Sequence, residues 1–464
     1  MWLLHSSELR FEQFYGSSTP PYAILSHRWG DDEISLQDLQ AAIKDKASVN
    51  HGAFLATNFW KIQKTREEAS ASDIDWVWID TCCINKESSA ELSEAINSMY
   101  KWYQNAKICY AYMFDVVWAA ENSDITVGHD LSYAAEPDAD SPGLSLNTMT
   151  TMEAAISNVT NATSFQNSSW FSRGWTLQEL LAPRTIKFFD SGWNFIGMKA
   201  ELVSYIAERS GIDAGFIEAR IALEQASVAE KMSWVSRRQT TREEDMAYCL
   251  LGIFDVNMPL LYGEGKKAFM RLQLEIIRKS DDESIFAWRR EPNNWRPREQ
   301  VQLLEHKKQE SGLRKRAKRG SYKAQPFKPH SGLLAEEPEE FTRSGHIQWK
   351  REKKFVRRLP YTMTNQGLCF YVEVFQSQIQ GVKEGGTFDI ELNCYETQTA
   401  QMDDGSQRQV DKPIVISLRK EGSDNDQAWR RHDCLNFQGP IWGENVPMDS
   451  QKTQVAFYIR QDGL

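Results

Sequence analysis

The first third of the chain alternates short apolar runs with longer segments in which apolar residues recur at helical spacing. The apolar runs are bounded by turn-forming or polar residues and predict strands over residues 22–26, 76–80, 108–113 and 185–189. The other segments predict helices over residues 54–69, 88–103, 170–181 and 199–209. Since strands that alternate with helices usually pair in parallel, the pattern predicts an α/β fold with a parallel sheet flanked by helices.

The pattern changes beyond residue 210. Helical spacing continues over residues 227–280, and Thr241-x-x-Glu244 has the sequence of a capping box. Residues 301–330 hold nine basic residues against two acidic ones, which indicates a linker or exposed loop. Short alternating runs over residues 361–464 predict a C-terminal antiparallel β domain.

These changes predict four regions. They are a core domain over residues 1–210 with an insertion at 122–169, a helical annex over 211–290, a basic linker or exposed loop over 291–335, and a small β-rich domain over 336–464.

The net charge argues against a polyanionic partner. The 464 residues include 54 Lys and Arg against 64 Asp and Glu, so the formal charge is −10. Such a surface repels phosphate backbones, and the basic tract at 307–323 lacks interleaved aromatic residues that would stack on bases. We expect no nucleic-acid binding and a solvated tract, with a nuclear-localisation signal as the alternative interpretation.

Other expected absences further narrow the class of protein to which the chain can belong. Residues 1–8 lack the pattern of a secretory signal, and no apolar run reaches the roughly 18 residues of a membrane span. The seven cysteines include no C-x-x-C pair, and the histidines have no metal-ligand spacing. We therefore expect a cytoplasmic protein with reduced thiols, no membrane span and no metal site.

Three segments lie at or near the ends of predicted strands, where a parallel sheet places ligand contacts. They are S-H-R-W-G at 26–30, D-T-C-C-I at 80–84 and R-G-W-T-L-Q-E-L at 173–180. Together with T-T-R-E-E-D-M-A-Y-C-L-L-G at 240–252 and P-L-L-Y-G-E-G at 259–265, they resemble the HET domain of fungal heterokaryon-incompatibility proteins. The resemblance extends over roughly residues 1–290.

The resemblance implies a TIR-like, flavodoxin-like core and a role in self/non-self recognition and innate defence that ends in programmed cell death. Some TIR relatives cleave NAD at the nicotinamide glycosidic bond. Their pattern of a Trp shortly before an essential helix Glu is similar to Trp175 and Glu179 here. The resemblance therefore implies Glu179 as the catalytic residue and NAD as a substrate, with no resident cofactor. It also implies homotypic self-association on activation and an upstream incompatibility partner.

One carboxylate suffices for this chemistry. Nicotinamide leaves as a neutral molecule, and the barrier lies in a ribosyl oxocarbenium ion that a carboxylate can stabilise. The alternative interpretation of Glu179 is a salt bridge with Arg173 or Arg184 on or beside the same short helix.

The ends of the first two strands would then hold the substrate, with Ser26 and Gly30 as candidate contacts. Arg28 can hold the pyrophosphate through its bidentate guanidinium. Alternatively, Arg28 braces its own loop through Asp31 or Asp32.

Trp29 and Trp175 can stack on the nicotinamide or adenine ring, or they can pack within the protein. Asp80 ends a buried run, where a carboxylate needs hydrogen-bond donors. It can therefore accept from a ribose hydroxyl or cap the following loop.

Three rival functions stay open. Cys82 or Cys83 with His27 would give a Cys–His nucleophile, although buried cysteines commonly serve as small apolar residues. A non-enzymatic scaffold would act through homotypic HET-domain assembly. A nucleic-acid-binding regulator would use the basic tract at 307–323 and show strongly salt-dependent binding.

Overall fold

The computed structural model describes residues 1–30, 33–44, 59–118, 160–289, 330–349, 361–364, 367–375, 382, 385–401, 407–421, 428–432 and 452–459. Most of the predicted insertion at 122–169 and the basic tract at 307–323 lie outside these residues.

The chain divides into two compact units. The first comprises Met1–Leu223, Arg238–Thr241 and Tyr248–Leu260, and the second Glu224–Arg237, Arg242–Ala247 and Leu261–Leu464. The predicted boundaries at 210, 290 and 335 stay predictions.

The first unit contains a seven-stranded sheet in the order β2-β1-β4-β3-β5-β6-β7. Its strands are β1 (Trp2–His5), β2 (Phe11–Gln13), β3 (Tyr22–His27), β4 (Trp76–Trp78), β5 (Ile108–Tyr112), β6 (Ile186–Phe189) and β7 (Phe195–Met198). The four central strands β4, β3, β5 and β6 are parallel, whereas β1, β2 and β7 pair antiparallel with their neighbours. All six residues of β3 are buried, as expected of a central parallel strand that is covered on both faces.

The prediction of a parallel sheet is therefore wrong at both edges, and the sheet is mixed. Residues 190–194 between β6 and β7 are too few for a crossover, so β7 must return antiparallel. Asp190 holds this turn by accepting hydrogen bonds from the N–H groups of Gly192 (2.9 Å) and Asn194 (2.8 Å). At the other edge, β1 forms a hairpin with β2 and buries Leu3 and Leu4 completely.

The predictions of helices at 54–69, 88–103 and 199–209 correspond to helices of the first unit, whereas the helices at 36–44 and 214–217 were not predicted. The helices of this unit are α1 (Leu36–Lys44), α2 (Trp60–Ala71), α3 (Ser89–Asn105), α4 (Thr176–Leu181), α5 (Val203–Ser210) and α6 (Ala214–Ile217). The predicted cap of α3 is present, because the Ser88 hydroxyl accepts a hydrogen bond from the Glu91 N–H at 3.3 Å. The predicted helix at 170–181 is instead a 3-10 turn (Ser169–Ser172) followed by the short α4.

The later helices are α7 (Val228–Val235), α8 (Asp245–Tyr248) and α9 (Lys267–Lys279). The predicted capping box at Thr241 is wrong, because α8 begins only at Asp245. The carboxylate of Glu244 accepts hydrogen bonds from the N–H groups of Gly265 (2.9 Å) and Gly263 (2.7 Å), which lower its pKa. Among the described residues, no helix has both the length and the apolar character needed to cross a bilayer.

The second unit contains a curled sheet in the order β10-β11-β15-β14-β13-β12-β9, with β8 paired to β14. Its strands are β8 (His330–Ser331), β9 (Ile347–Trp349), β10 (Thr362–Thr364), β11 (Gly367–Phe375), β12 (Thr387–Gln401), β13 (Gln407–Glu421), β14 (Ala428–His432) and β15 (Lys452–Ile459). The predicted antiparallel pairing is confirmed except between β14 and β15, which are parallel.

Candidate functional site

The carboxyl ends of β3, β4 and β5 meet at one edge of the first sheet. β3 pairs in parallel with both neighbours, so that Ile24 lies opposite Trp78 and His27 lies opposite Tyr112. The loops that follow these strands therefore share one edge, where open α/β sheets bind their ligands.

Glu179 of α4 is bonded to this strand end. The hydroxyl of Ser26, the penultimate residue of β3, donates a hydrogen bond to Glu179 Oε2. The Trp170 indole N–H donates in turn to Ser26 Oγ at 2.8 Å. Ser26 is 0% exposed, Trp170 2% and Glu179 6%, so a strand, a 3-10 turn and a helix meet in one buried polar cluster.

The environment of Glu179 moves the pKa of its carboxyl to near neutral pH. Burial, and to a smaller extent charge repulsion from Asp80, raise the pKa of the Glu179 carboxyl to about 7. Arg173, the Ser26 hydrogen bond and Arg238 act in the opposite direction. A carboxyl with such a shift beside a strand-end loop is a candidate functional group.

Close packing at Gly174 fixes the start of α4. The Gly174 N–H donates to the Gln239 carbonyl at 2.8 Å, and a Cβ at Gly174 would lie 2.6 Å from Thr240 Cγ2. Arg173 donates to the His27 carbonyl at 2.8 Å, which ties the segment before α4 to the end of β3. A larger residue at position 174 would therefore force the side chains of Thr240 and Cys249 to shift.

A second cluster surrounds Asp80, which lies two residues after the end of β4. The Trp29 indole N–H donates to Asp80 Oδ2 at 2.7 Å. The His27 ring is buried with Nδ1 3.6 Å from Asp80 Oδ1 and Nε2 3.6 Å from Glu33 Oε2. Both separations exceed hydrogen-bonding distance, and neither ring nitrogen has another partner among the described residues, so His27 lies between two carboxylates.

Glu33 connects this cluster to the loop backbone. It accepts a hydrogen bond from the Gly30 N–H at 2.7 Å and pairs with Lys61. Burial alone would raise the pKa of Glu33, but His27, the Gly30 N–H and Lys61 together lower it to about 2. Glu33 is therefore a fixed negative charge that holds the loop after β3.

Two exposed aromatic rings at this edge each lie under a cation. Trp29 is 45% exposed, with Lys86 Nζ 3.7 Å from its ring centroid. Phe114 follows β5 and is 44% exposed, with the Arg28 guanidinium carbon 5.4 Å from its centroid. Rings and cations together suit a ligand that carries both a flat heterocycle and a negative charge.

The structure brings most of the predicted site residues together in pairs. Ser26 contacts Glu179, Trp29 contacts Asp80, and the Gly30 N–H is bonded to a side chain of the same loop. Trp175 is different: it is half-buried, and within the described part of the chain no side-chain hydrogen bond or ring contact links it to the other predicted residues.

Two alternative interpretations do not match the contacts. Neither Arg173 nor Arg184 forms an ion pair with Glu179 among the described residues. The His27 ring nitrogens face carboxylates and not thiols. The hydrogen bond between Cys82 and Cys83, together with burial, raises the pKa of Cys82 well above its usual value. Asp31 and Asp32, the alternative partners of Arg28, lie outside the described residues.

Sequence reasoning missed four residues of the site: Trp170, Glu33, Lys86 and Phe114. Trp170 and Phe114 were overlooked because large apolar residues beside a strand or helix normally predict core packing. A signal existed for Phe114, which directly follows the third predicted strand, at the same edge as the segments at 26–30 and 80–84.

The family described as heterokaryon incompatibility protein (HET) matches residues 22–179, which span β3 through Glu179. The chain carries a HET domain. A second family, a domain of unknown function (DUF8212), matches residues 267–378.

Vegetative incompatibility protein HET-E-1 from Podospora anserina is 39% identical to the chain over 264 residues. The aligned part covers 56% of this chain but 16% of that relative, so the similarity concerns a small part of the larger protein. No solved structure matches the chain.

Proposed function

We propose that the chain acts in heterokaryon incompatibility or fungal innate defence by hydrolysing the nicotinamide glycosidic bond of NAD, and so triggers programmed cell death. The contact between Ser26 and Glu179 carries the proposal. It joins Glu179, the carboxylate that the TIR-like pattern indicates, to the end of β3. The loop that would hold the substrate follows this strand end. The HET domain identified by similarity contains both residues.

The order of the parallel strands supports the TIR-like part of the proposal. Counted along the chain, the parallel strands β3, β4, β5 and β6 lie in the order second, first, third, fourth. This is the flavodoxin-like order up to its fourth strand, and the antiparallel β7 occupies the place of the fifth.

The proposed reaction converts NAD and water into nicotinamide, ADP-ribose and a proton. The bond between ribose C1′ and the pyridinium nitrogen breaks, and its electron pair stays on the nitrogen. Charged Glu179 stabilises the resulting ribosyl cation. Water then attacks C1′ and loses a proton, which a carboxyl with a pKa of about 7 can accept.

The exposed groups of the site match the rest of NAD. Arg28 and Lys86 supply positive charge for the pyrophosphate, and the rings of Trp29 and Phe114 can stack on its heterocycles. Asp80 can accept from a ribose hydroxyl in addition to its bond from Trp29.

Three other predicted site residues, Gly30, Trp175 and Ser26, have less direct roles in binding NAD. The backbone of Gly30 lies in the same exposed loop, and Trp175 remains a candidate ring for stacking. Ser26 has no exposed surface, so in this proposal it contributes through Glu179 and not by touching NAD.

The burial of Glu179 fits an activity that is normally off. At 6% exposure the carboxylate meets a ribose only after the side chains that cover it move. Homotypic self-association, set off by an upstream incompatibility partner in the cytoplasm, would supply that change. The proposal therefore predicts that NAD cleavage per molecule rises with protein concentration.

One observation favours the scaffold alternative. Glu179 already accepts a hydrogen bond inside the protein, as a purely structural carboxyl would. In this second function the HET domain assembles and recruits partners without cleaving NAD.

Incubation of the purified chain with NAD across a wide range of protein concentrations distinguishes the two functions. Release of nicotinamide and ADP-ribose in equal amounts, with sedimentation measured in parallel, supports hydrolysis. Self-association without product at every concentration supports the scaffold.

A further inference from the structure

While Glu179 is charged, its oxygens can only accept, and the hydrogen bonds around Ser26 then have only one consistent direction. The Trp170 indole N–H, 2.8 Å from Ser26 Oγ, can donate but cannot accept. Ser26 therefore accepts from Trp170, and its single hydroxyl proton is left for Glu179 Oε2. Among the described residues no other donor is bonded to Glu179, so Oε1 stays available.

Trp170 is itself firmly held. Its ring is 2% exposed and packs edge-on against Phe171 and Phe188, with centroids 5.1 Å and 5.7 Å away. Its carbonyl accepts a hydrogen bond at 2.5 Å from the hydroxyl of Thr176, the first residue of α4. The indole is thus fixed relative to the helix that carries Glu179.

We propose that Trp170 is a positioning residue that acts through Ser26, directing the Ser26 proton to Glu179 Oε2 and leaving Oε1 to face the ribosyl cation. This inference rests on the proposed function only in its statement that Oε1 faces a ribosyl cation. The direction of the hydrogen bonds, and its effect on the charge of Glu179, hold whether or not NAD is the substrate.

The arrangement favours the charged form of Glu179. The bond from the Trp170 N–H polarises the Ser26 hydroxyl so that it is a better donor and a poorer acceptor, which stabilises the carboxylate form of Glu179. Without Trp170 the Ser26 oxygen accepts more readily from a protonated carboxyl. The other groups that affect the pKa of Glu179 are Arg173 and Arg238, which lower it, and Asp80, which raises it.

Two further neighbours are neutral. Burial raises the pKa values of Tyr103 and Cys109 well above their usual values, so neither changes charge in the range where Glu179 titrates. A substitution confined to the Trp170 N–H changes none of these groups.

The test is the pKa of Glu179 itself, measured on the full chain without NAD by infrared difference spectroscopy, with Glu179→Gln to assign the band. Ser26→Ala should raise this pKa by about one unit or more, because a hydrogen bond to a charged group is lost. Trp170→Phe should raise it by about half a unit, because the ring stays and only the donor is lost. Trp170→Phe in the Ser26→Ala background should add nothing.

Trp78→Phe is the matched control. Trp78 is also completely buried, and its indole N–H has no hydrogen-bond partner among the described residues. The control therefore loses a similar volume and should leave the pKa of Glu179 unchanged. If Trp170→Phe does not fold, the benzothiophene analogue of Trp at position 170 removes the N–H and keeps the shape.

An unchanged pKa in the Trp170 variant, or a full additional shift in the double variant, overturns the inference. Failure of the proposed function gives a different result, since the expected pKa shifts would then appear in a chain that releases no nicotinamide.

Discussion

Ser26 and Glu179, 153 positions apart in the chain, share a buried hydrogen bond at the carboxyl edge of the first sheet. The bond links the end of β3 to α4, a helix of six residues whose own start is fixed by close packing at Gly174. Any substitution that shifts α4 relative to β3 therefore acts on Glu179, even from a distance.

Gly174→Ala should destabilise the protein and misplace Glu179. The new Cβ would lie 2.6 Å from Thr240 Cγ2 and 3.1 Å from Cys249 Sγ, and such overpacking costs about 1–3 kcal/mol. Thr240→Ser removes Cγ2 and should restore part of the loss in the double variant. Urea unfolding of the single and double variants measures this. Equal stability of Gly174→Ala and wild type would contradict the packing described here.

The burial of Glu179 should make stability depend on pH. Its folded pKa of about 7 lies above the ordinary value of 4.5, so the folded state holds the proton more tightly. The free energy of unfolding then falls as pH rises from about 4.5 to about 7, by on the order of 2–3 kcal/mol.

Glu179→Gln removes this titration. Relative to wild type, the variant should gain stability between pH 5 and pH 8, by on the order of 2–3 kcal/mol. Glu94→Gln, a substitution at an exposed carboxylate of α3, should show little change over the same range. Urea unfolding at both pH values measures the difference. A constant difference between Glu179→Gln and wild type would show that Glu179 does not titrate in this range.

Arg28→Ala should raise the Michaelis constant for NAD about ten- to hundredfold, because a hydrogen bond to a charged group is worth about 1.5–3 kcal/mol. Arg28→Lys should recover only part of this, since an ammonium cannot form the bidentate contact. Because the Arg28 side chain is exposed above Phe114, its loss should leave the melting temperature nearly unchanged. A lowered melting temperature with an unchanged Michaelis constant would assign Arg28 to bracing its loop.

Arg431 should be a stability determinant of the second unit. Its buried guanidinium donates to the carbonyls of Phe286 (2.9 Å) and Trp288 (2.6 Å) and lies 3.8 Å from the Trp288 ring centroid. Arg431→Ala leaves two buried carbonyls without these donors and should lower the free energy of unfolding by about 3 kcal/mol or more. Arg408→Ala, at the exposed start of β13, is the control. Equal unfolding curves for the two variants would contradict this role.

Much of the central sheet was predictable because strands buried on both faces are continuous apolar runs. β3, β5 and β6 begin or end within about two residues of their predicted limits. The edges were not predicted. The turn residues at 190–194 carried a recognisable signal, whereas Trp2–His5 in β1 is too short and too close to the start of the chain to show alternation.

The candidate site was predictable as a set of segments and not as a set of contacts. Strand-end position and the HET resemblance drew attention to Glu179, Ser26 and Asp80. The role of Trp170 depends on one N–H that faces one hydroxyl, and a sequence pattern contains no information on that direction. His27 poses the same problem, because the groups that face its ring nitrogens are carboxylates and not thiols.

The most direct measurement is the rate of nicotinamide release from NAD by Glu179→Gln, beside wild type and Glu94→Gln, at a concentration where all three proteins self-associate. The amide keeps the shape of the carboxylate but cannot supply the charge that meets the ribosyl cation. The proposal predicts a loss of about a hundredfold or more for Glu179→Gln and a wild-type rate for Glu94→Gln. A folded Glu179→Gln that releases nicotinamide at the wild-type rate would contradict the assignment of Glu179 as the catalytic carboxylate.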